Sequence, residues 1–141
     1  MIIKAITLWQ PWAELIAKGF KKYETRGWYT PHRGKLAIHA AKRPAEKERR
    51  YIDSLMQKYP ATIELFVNPL PLGAVVCVVD LVRVHNTEDI VDHIDELEFD
   101  VGDYDDGRFA WELELLEVFD PPIPASGSQG LWDWNNEGVR L

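Results

Sequence analysis

Gly73-Ala-Val-Val-Cys-Val-Val-Asp-Leu-Val-Arg-Val84 is the longest β-branched run of the 141-residue chain, and its character decides what kind of sheet the protein builds. β-Branched side chains suit a pleated surface, and the near absence of polar alternation predicts a strand covered on both faces. Downstream, Phe109–Phe119 sets Trp111, Leu113 and Leu115 against Glu112 and Glu114, then slips phase to Leu116 and Val118. That slip predicts a strand with a bulge, ended by Pro121-Pro-Ile-Pro124. Upstream, Ile2–Trp9, Tyr23–Trp28 and Lys35–Ala40 read as further strands.

The connections are short. Residues 11–18 predict an amphipathic helix with Trp12, Leu15 and Ile16 on one face and Gly19 as its stop. Pro44–Tyr59 predicts a second helix, with Tyr51, Ile52, Leu55 and Met56 as its apolar stripe. Residues 60–72 read as a connecting loop, Thr87–Leu97 as a capped acidic helix, and 98–107 as an acidic loop expected to be mobile. Ser126–Trp134 reads as a glycine loop carrying two aromatics. Strands separated by single helices, without regular βαβ alternation, point to an α+β protein: one domain over residues 1–141, a mixed β-barrel flanked by short helices.

Composition narrows the class. Hydrophobic residues at 46% and charged residues at 28% exclude disordered and fibrous chains. The lone Cys77 lies inside the β-branched run and reads as a buried small hydrophobe, so a reducing cytoplasm is the expected compartment. No apolar run approaches the roughly 20 residues that span a bilayer, and no secretion signal opens the chain. The net charge of −7 conceals segregation: residues 1–50 carry twelve Lys/Arg against four Asp/Glu, whereas residues 86–120 carry fourteen acidic residues and only Arg108. The first third is expected to present a cationic face, with the acidic segment solvated, repelling polyanions, or pairing with that face.

Phosphate-cradling and dinucleotide glycine motifs are absent, and His32, His39, His85 and His93 are scattered, so neither a metal nor a cofactor is expected. The stretch that could carry chemistry is Gly19-Phe-Lys-Lys-Tyr-Glu-Thr-Arg-Gly-Trp28. In an extended strand Glu24 and Arg26 share a face, and Lys21 in the preceding turn can bend back toward them. A lysine whose pKa is lowered by burial can act as a general base beside a carboxylate that orients it or activates water. The alternative is an ordinary ion pair at a barrel rim.

Gly19, Lys21, Glu24 and Arg26 reproduce the Gly-x-Lys-x-x-Glu-x-Arg signature of the ASCH (ASC-1 homology) domain, and the chain resembles that PUA-like family. Leu8–Ala13, Trp28–Gly34, Ile38–Lys42 and Gln129–Trp132 extend the resemblance over nearly the whole chain. It implies a PUA-like barrel and recognition of RNA or a nucleobase. The same stretch is similar to small bacterial amidohydrolases of N4-acetylcytidine, which implies a catalytic role for Lys21. Those enzymes have a threonine where this chain has Glu24, so Glu24 would have to activate water, or Thr25 or Thr7 would have to attack.

Around the signature, Trp9, Trp28, Tyr29 and Trp132 could stack a base, or could belong to the core. Arg33, Lys35, Lys42 and Arg43 could hold phosphate, or form a solvated face. Ser126 and Ser128 could offer amides and hydroxyls to a ligand oxygen, or form a plain turn. The leading expectation is a metal-independent amidohydrolase acting on a small N4-acylated cytosine nucleoside, with Lys21 as base, Glu24 orienting it or water, and Arg26 holding the carbonyl. The alternatives are an RNA-binding module reading an unpaired base, and a ribonuclease using Tyr29, Lys35 and Ser128.

Overall fold

The computed structural model describes residues 1–137. Strands β1 (Ile2–Leu8), β2 (Tyr23–Arg26), β3 (Gly34–Ala40), β4 (Ala74–Asn86), β5 (Phe109–Pro124) and β6 (Leu131–Asn135) form one sheet in the order β2-β5-β4-β3-β1-β6. Only β1 and β3 run parallel. The sheet curls into a half-barrel with short helices around it, the α+β, PUA-like architecture expected.

β4 is central, as its composition requires. Val76, Cys77, Val79 and Leu81 pack on one side with Ile6, Leu8, Leu36, Ile38 and Trp111, and Val75 and Val78 pack on the other with Ala5, Ala37 and Trp134. Strict alternation along β4 is broken by register shifts against β5. Burial pushes the Cys77 thiol up to about 12, so it behaves as a small hydrophobe.

Helix α1 (Trp12–Ala17) enters beside the fully buried Gln10, whose Oε1 accepts from the Glu14 amide at 2.9 Å and whose Nε2 donates to Pro71 O at 2.9 Å. Helix α2 (Arg49–Lys58) buries Ile52 and Leu55, the latter against Leu15, Leu65 and Val101. Among the described residues no helix is long and apolar enough to cross a membrane.

Several expectations need correction. The stretch 60–72 holds a 3-10 helix, Pro60–Phe66, that buries Thr62 and Leu65. The single acidic helix is two short ones, α3 (Thr87–Ile90) and α4 (Glu96–Asp100), separated by a 3-10 turn and an extended Ile94. Asp95 starts α4 by accepting from the Glu98 amide at 2.8 Å, a side-chain bond that competes with helix continuation. The 98–107 segment is anchored, with Glu98, Val101 and Tyr104 buried. β5 runs through its prolines to Pro124: beyond Leu113, whose amide bonds Lys22 O, its outer edge pairs with no strand among the described residues, so a missing N–H costs no ladder bond there. Finally, β6 lies inside the stretch read as a loop, pairing with β1 and carrying Trp132 and Trp134 on the face that packs with Ala5 and Ala37.

Candidate functional site

Gly19, at φ +82°, ends α1 and turns the chain so that the amides of Phe20 and Lys21 both bond Leu15 O, at 2.9 and 3.0 Å. Only glycine takes that backbone conformation without strain. The turn buries Lys21 beneath the helix and launches β2, which carries Glu24 and Arg26. The ammonium of Lys21 donates to Val101 O at 2.7 Å and lies 3.8 Å from Glu24 Oε1. Arg26 Nε stands 2.9 Å from Glu24 Oε2, and Nη2 donates to Thr7 O at 3.3 Å. The Nε–H does not line up with the carboxylate oxygen, so this contact is a charge pair and not a hydrogen bond.

β2 is one edge of the half-barrel, whereas Thr7 lies on β1, next to the other edge and past the end of β6 pairing at Ile6. The Arg26 bond to Thr7 therefore spans the opening between the two ends of the curled sheet. A cavity of about 610 Å³ occupies that opening, and Lys21, Glu24, Arg26, Thr7, Trp9 and Trp28 all line it. Burial holds the Lys21 ammonium below its usual pKa, with Arg26 adding to the effect and Glu24 and Glu98 opposing it.

The far wall is residues 100–103 together with Arg108, Trp12 and Tyr51, none of which the sequence singled out as ligand contacts. Glu98 ties this wall to the signature strand, accepting from the amides of Lys22 and Tyr23 at 2.8 and 3.3 Å. The Asp103 amide donates to Thr25 Oγ1 at 2.9 Å, which turns that hydroxyl to a structural task. Gly102 is required here, because a Cβ would stand 2.7 Å from the Tyr104 ring.

The remaining expected residues lie outside the cavity. Tyr29 is half-exposed against Phe109, and Arg33 is occupied by Thr30 O, His32 O and the Tyr29 hydroxyl. Lys35 is exposed on β3, Lys42 lays its aliphatic stem over Gly73, and Ser126 and Ser128 are exposed in the loop before β6. Trp132 donates from Nε1 to Thr7 Oγ1 at 3.0 Å, and the same hydroxyl sits 3.1 Å from His39 Nδ1. His39 Nε2 lies 2.7 Å from Ala125 O, so it carries the proton, and Nδ1 accepts from Thr7. Burial lowers the His39 pKa, with the Ala125 bond opposing. Thr7 thus serves the cavity with its carbonyl and a separate buried triad with its hydroxyl. Arg43, beside the mouth, stacks 4.1 Å over Trp9.

Comparison with known proteins places these features in a family. The ASCH domain model matches residues 6–123. Activating signal cointegrator 1 of mouse and of human are each 28% identical over 128 residues, covering 90% of this chain and 21% of theirs. The chain thus spans about a fifth of the length of these relatives. The crystal structures of the ASCH protein of Zymomonas mobilis and of a tyrosine-to-phenylalanine mutant of it superpose with a TM-score of 0.56 at 16% identity, covering 95% of this chain and 88% and 91% of theirs. With the family model spanning most of its length and the half-barrel in place, this chain belongs to the ASCH domain family.

Proposed function

We propose that the cavity between the sheet's two ends receives a single unpaired nucleobase of an RNA strand. The observation that carries this reading is the joining, in one concavity, of a charged pair, the buried Glu24 and the half-buried Arg26, with the exposed aromatic faces of Trp9 and Trp28. Its volume falls within the roughly 300–1,000 Å³ of small-molecule sites. Unpaired bases are read in this way, by stacking on aromatic rings and by hydrogen bonds to their edges. Of the cationic residues of the first third outside the cavity, Lys35 and Lys42 are exposed and available to a strand's phosphates, whereas Arg33 is held by Thr30 O, His32 O and the Tyr29 hydroxyl and Arg43 is paired with Glu48.

Titration of the protein with a fluorescent single-stranded RNA decamer at increasing salt tests the proposal. Affinity should fall steeply with salt, because each phosphate contact releases counterions. Trp9→Ala should weaken binding by about 1–3 kcal/mol of lost stacking at every salt concentration. Binding that ignores both changes would remove the RNA reading.

A second reading is favoured by one observation, the burial of Lys21 beside a carboxylate, which lowers the lysine pKa. In it, Lys21 acts as general base, Glu24 orients it or a water, and Arg26 polarises the carbonyl of an N4-acylated cytosine nucleoside. Incubation with N4-acetylcytidine in the presence of a chelator should then release cytidine, and Lys21→Ala should abolish turnover. Absence of product at high protein concentration would eliminate this reading.

A further inference from the structure

We infer that the cavity selects guanine, held through two adjacent N–H groups on the Glu24 carboxylate. The inference rests on the nucleobase reading above and extends it to the identity of the base. The Glu24 side chain is only 10% exposed, yet among the described residues no N–H or O–H donates to it. The Lys21 ammonium, at 3.8 Å, is beyond hydrogen-bond range and is engaged by Val101 O. Arg26 offers an unaligned Nε–H and spends Nη2 on Thr7 O. Charge is therefore compensated on both sides while the acceptor capacity of the carboxylate is unspent. A buried carboxylate calls for donors as well as for countercharge.

A carboxylate only accepts, and its two oxygens match a pair of parallel donors, as in a guanidinium fork. Of the four RNA bases, guanine alone places two donors side by side, N1–H and the N2 amino group. Adenine and cytosine set a ring-nitrogen acceptor beside the amino group, which would put lone pair against lone pair. Uracil flanks its single N–H with two carbonyls. The neighbouring guanidinium selects the orientation: with N1–H on Oε2, the oxygen beside Arg26, and the N2 amino group on Oε1, guanine O6 falls on the Arg26 side. Trp9 and Trp28, 53% and 38% exposed, supply the stacking faces at the same cavity.

Calorimetric titration with the RNA pentamers 5′-UUGUU, 5′-UUIUU, 5′-UUAUU and 5′-UUCUU at low salt tests the inference. Inosine keeps O6 and N1–H but lacks the N2 amino group, so it should bind about tenfold more weakly than guanosine, the scale of one hydrogen bond to a charged group. Adenosine and cytidine should be weaker by at least that factor. Glu24→Gln, which keeps one acceptor oxygen and the side-chain shape, should reduce the guanosine-over-inosine ratio to below about threefold. Equal binding of the four pentamers, or preference for cytidine or adenosine, overturns the selection of guanine while leaving a nucleobase site standing. If Glu24→Gln retains the guanosine preference, Glu24 is not the reader and the inference falls. If none of the pentamers binds, the nucleobase reading itself fails and the inference goes with it. Should the variant not fold, the wild-type series decides alone.

Discussion

Gly127→Ala gives the sharpest test of how the loop before β6 closes on the sheet. A Cβ at this position would stand 2.6 Å from Thr7 Oγ1 and 2.7 Å from both Nδ1 and Cε1 of His39. Neither neighbour is free to move: Thr7 is held by Trp132 and His39 by Ala125 O, and both lie on paired strands, β1 and β3. The backbone of Gly127 is not left-handed, so the cost is steric and not conformational. Two responses are open. If the loop stays, overpacking costs about 1–3 kcal/mol. If it lifts, the His39 N–H loses Ala125 O and is left unsatisfied, at about 1–3 kcal/mol. The smaller of the two sets the loss, and alanine returns about 0.4–1 kcal/mol by restricting the unfolded chain. At mid-range values, about 2 kcal/mol lost and about 0.7 kcal/mol returned, the net is a destabilisation of about 1.3 kcal/mol, read from the midpoint of a urea melt at constant m. Gly130→Ala is the control: its Cβ meets nothing within 4 Å, but φ is +66°, so only the left-handed strain of about 1–2 kcal/mol applies and the His39 environment stays native by NMR. A Gly127→Ala variant within about 0.5 kcal/mol of wild type, with unshifted His39 resonances, would refute the reasoning.

Other consequences can be measured on the same material. Burial lowers the Lys21 pKa, so the folded protein binds fewer protons than the unfolded chain between that lowered value and the ordinary lysine value, and stability should rise with pH across that window. Lys21→Met removes this contribution; urea melts from pH 7 to pH 10 should show wild type gaining on the variant, and a constant difference would contradict the burial effect. Glu98→Gln leaves one acceptor for two amides, those of Lys22 and Tyr23, and should cost about 1–2 kcal/mol while speeding hydrogen exchange at Gly102 and Asp103. Unchanged exchange there would show that the wall is held by something else.

Much of this architecture is written locally in the chain. The Val-rich run had to be a doubly covered strand because no polar face was available, and Gly19 had to end α1 because the following amides fold back on Leu15. The triplet Lys21, Glu24 and Arg26 was legible because all three sit within six residues, on a turn and one strand. The opposite wall was not. Val101, Gly102 and Asp103 lie in a run whose charge reads as solvated loop, and they reach the cavity through bonds from Glu98 to Lys22 and from Asp103 to Thr25, partners 76 and 78 residues apart in sequence. No periodicity encodes such pairings. The continuation of β5 through three prolines was equally hidden, because the rule that proline breaks a strand holds only where a partner needs the N–H. β6 is hidden in the sequence because the glycines and serines before Leu131 carry the stronger turn signal in that stretch.

A sheet whose ends meet through one guanidinium is a clasp more than a closed ring. The 3.3 Å link from Arg26 to the Thr7 carbonyl joins strands that share no ladder, so at this point the margins are held by a side chain and not by backbone pairing, over a core shared by Ile6, Leu8 and Trp111. A molecule gripped by Arg26 and resting against β1 would draw the two margins together and tighten the arc. Occupancy would then be felt far from the point of contact, as slower breathing of every strand between β2 and β6.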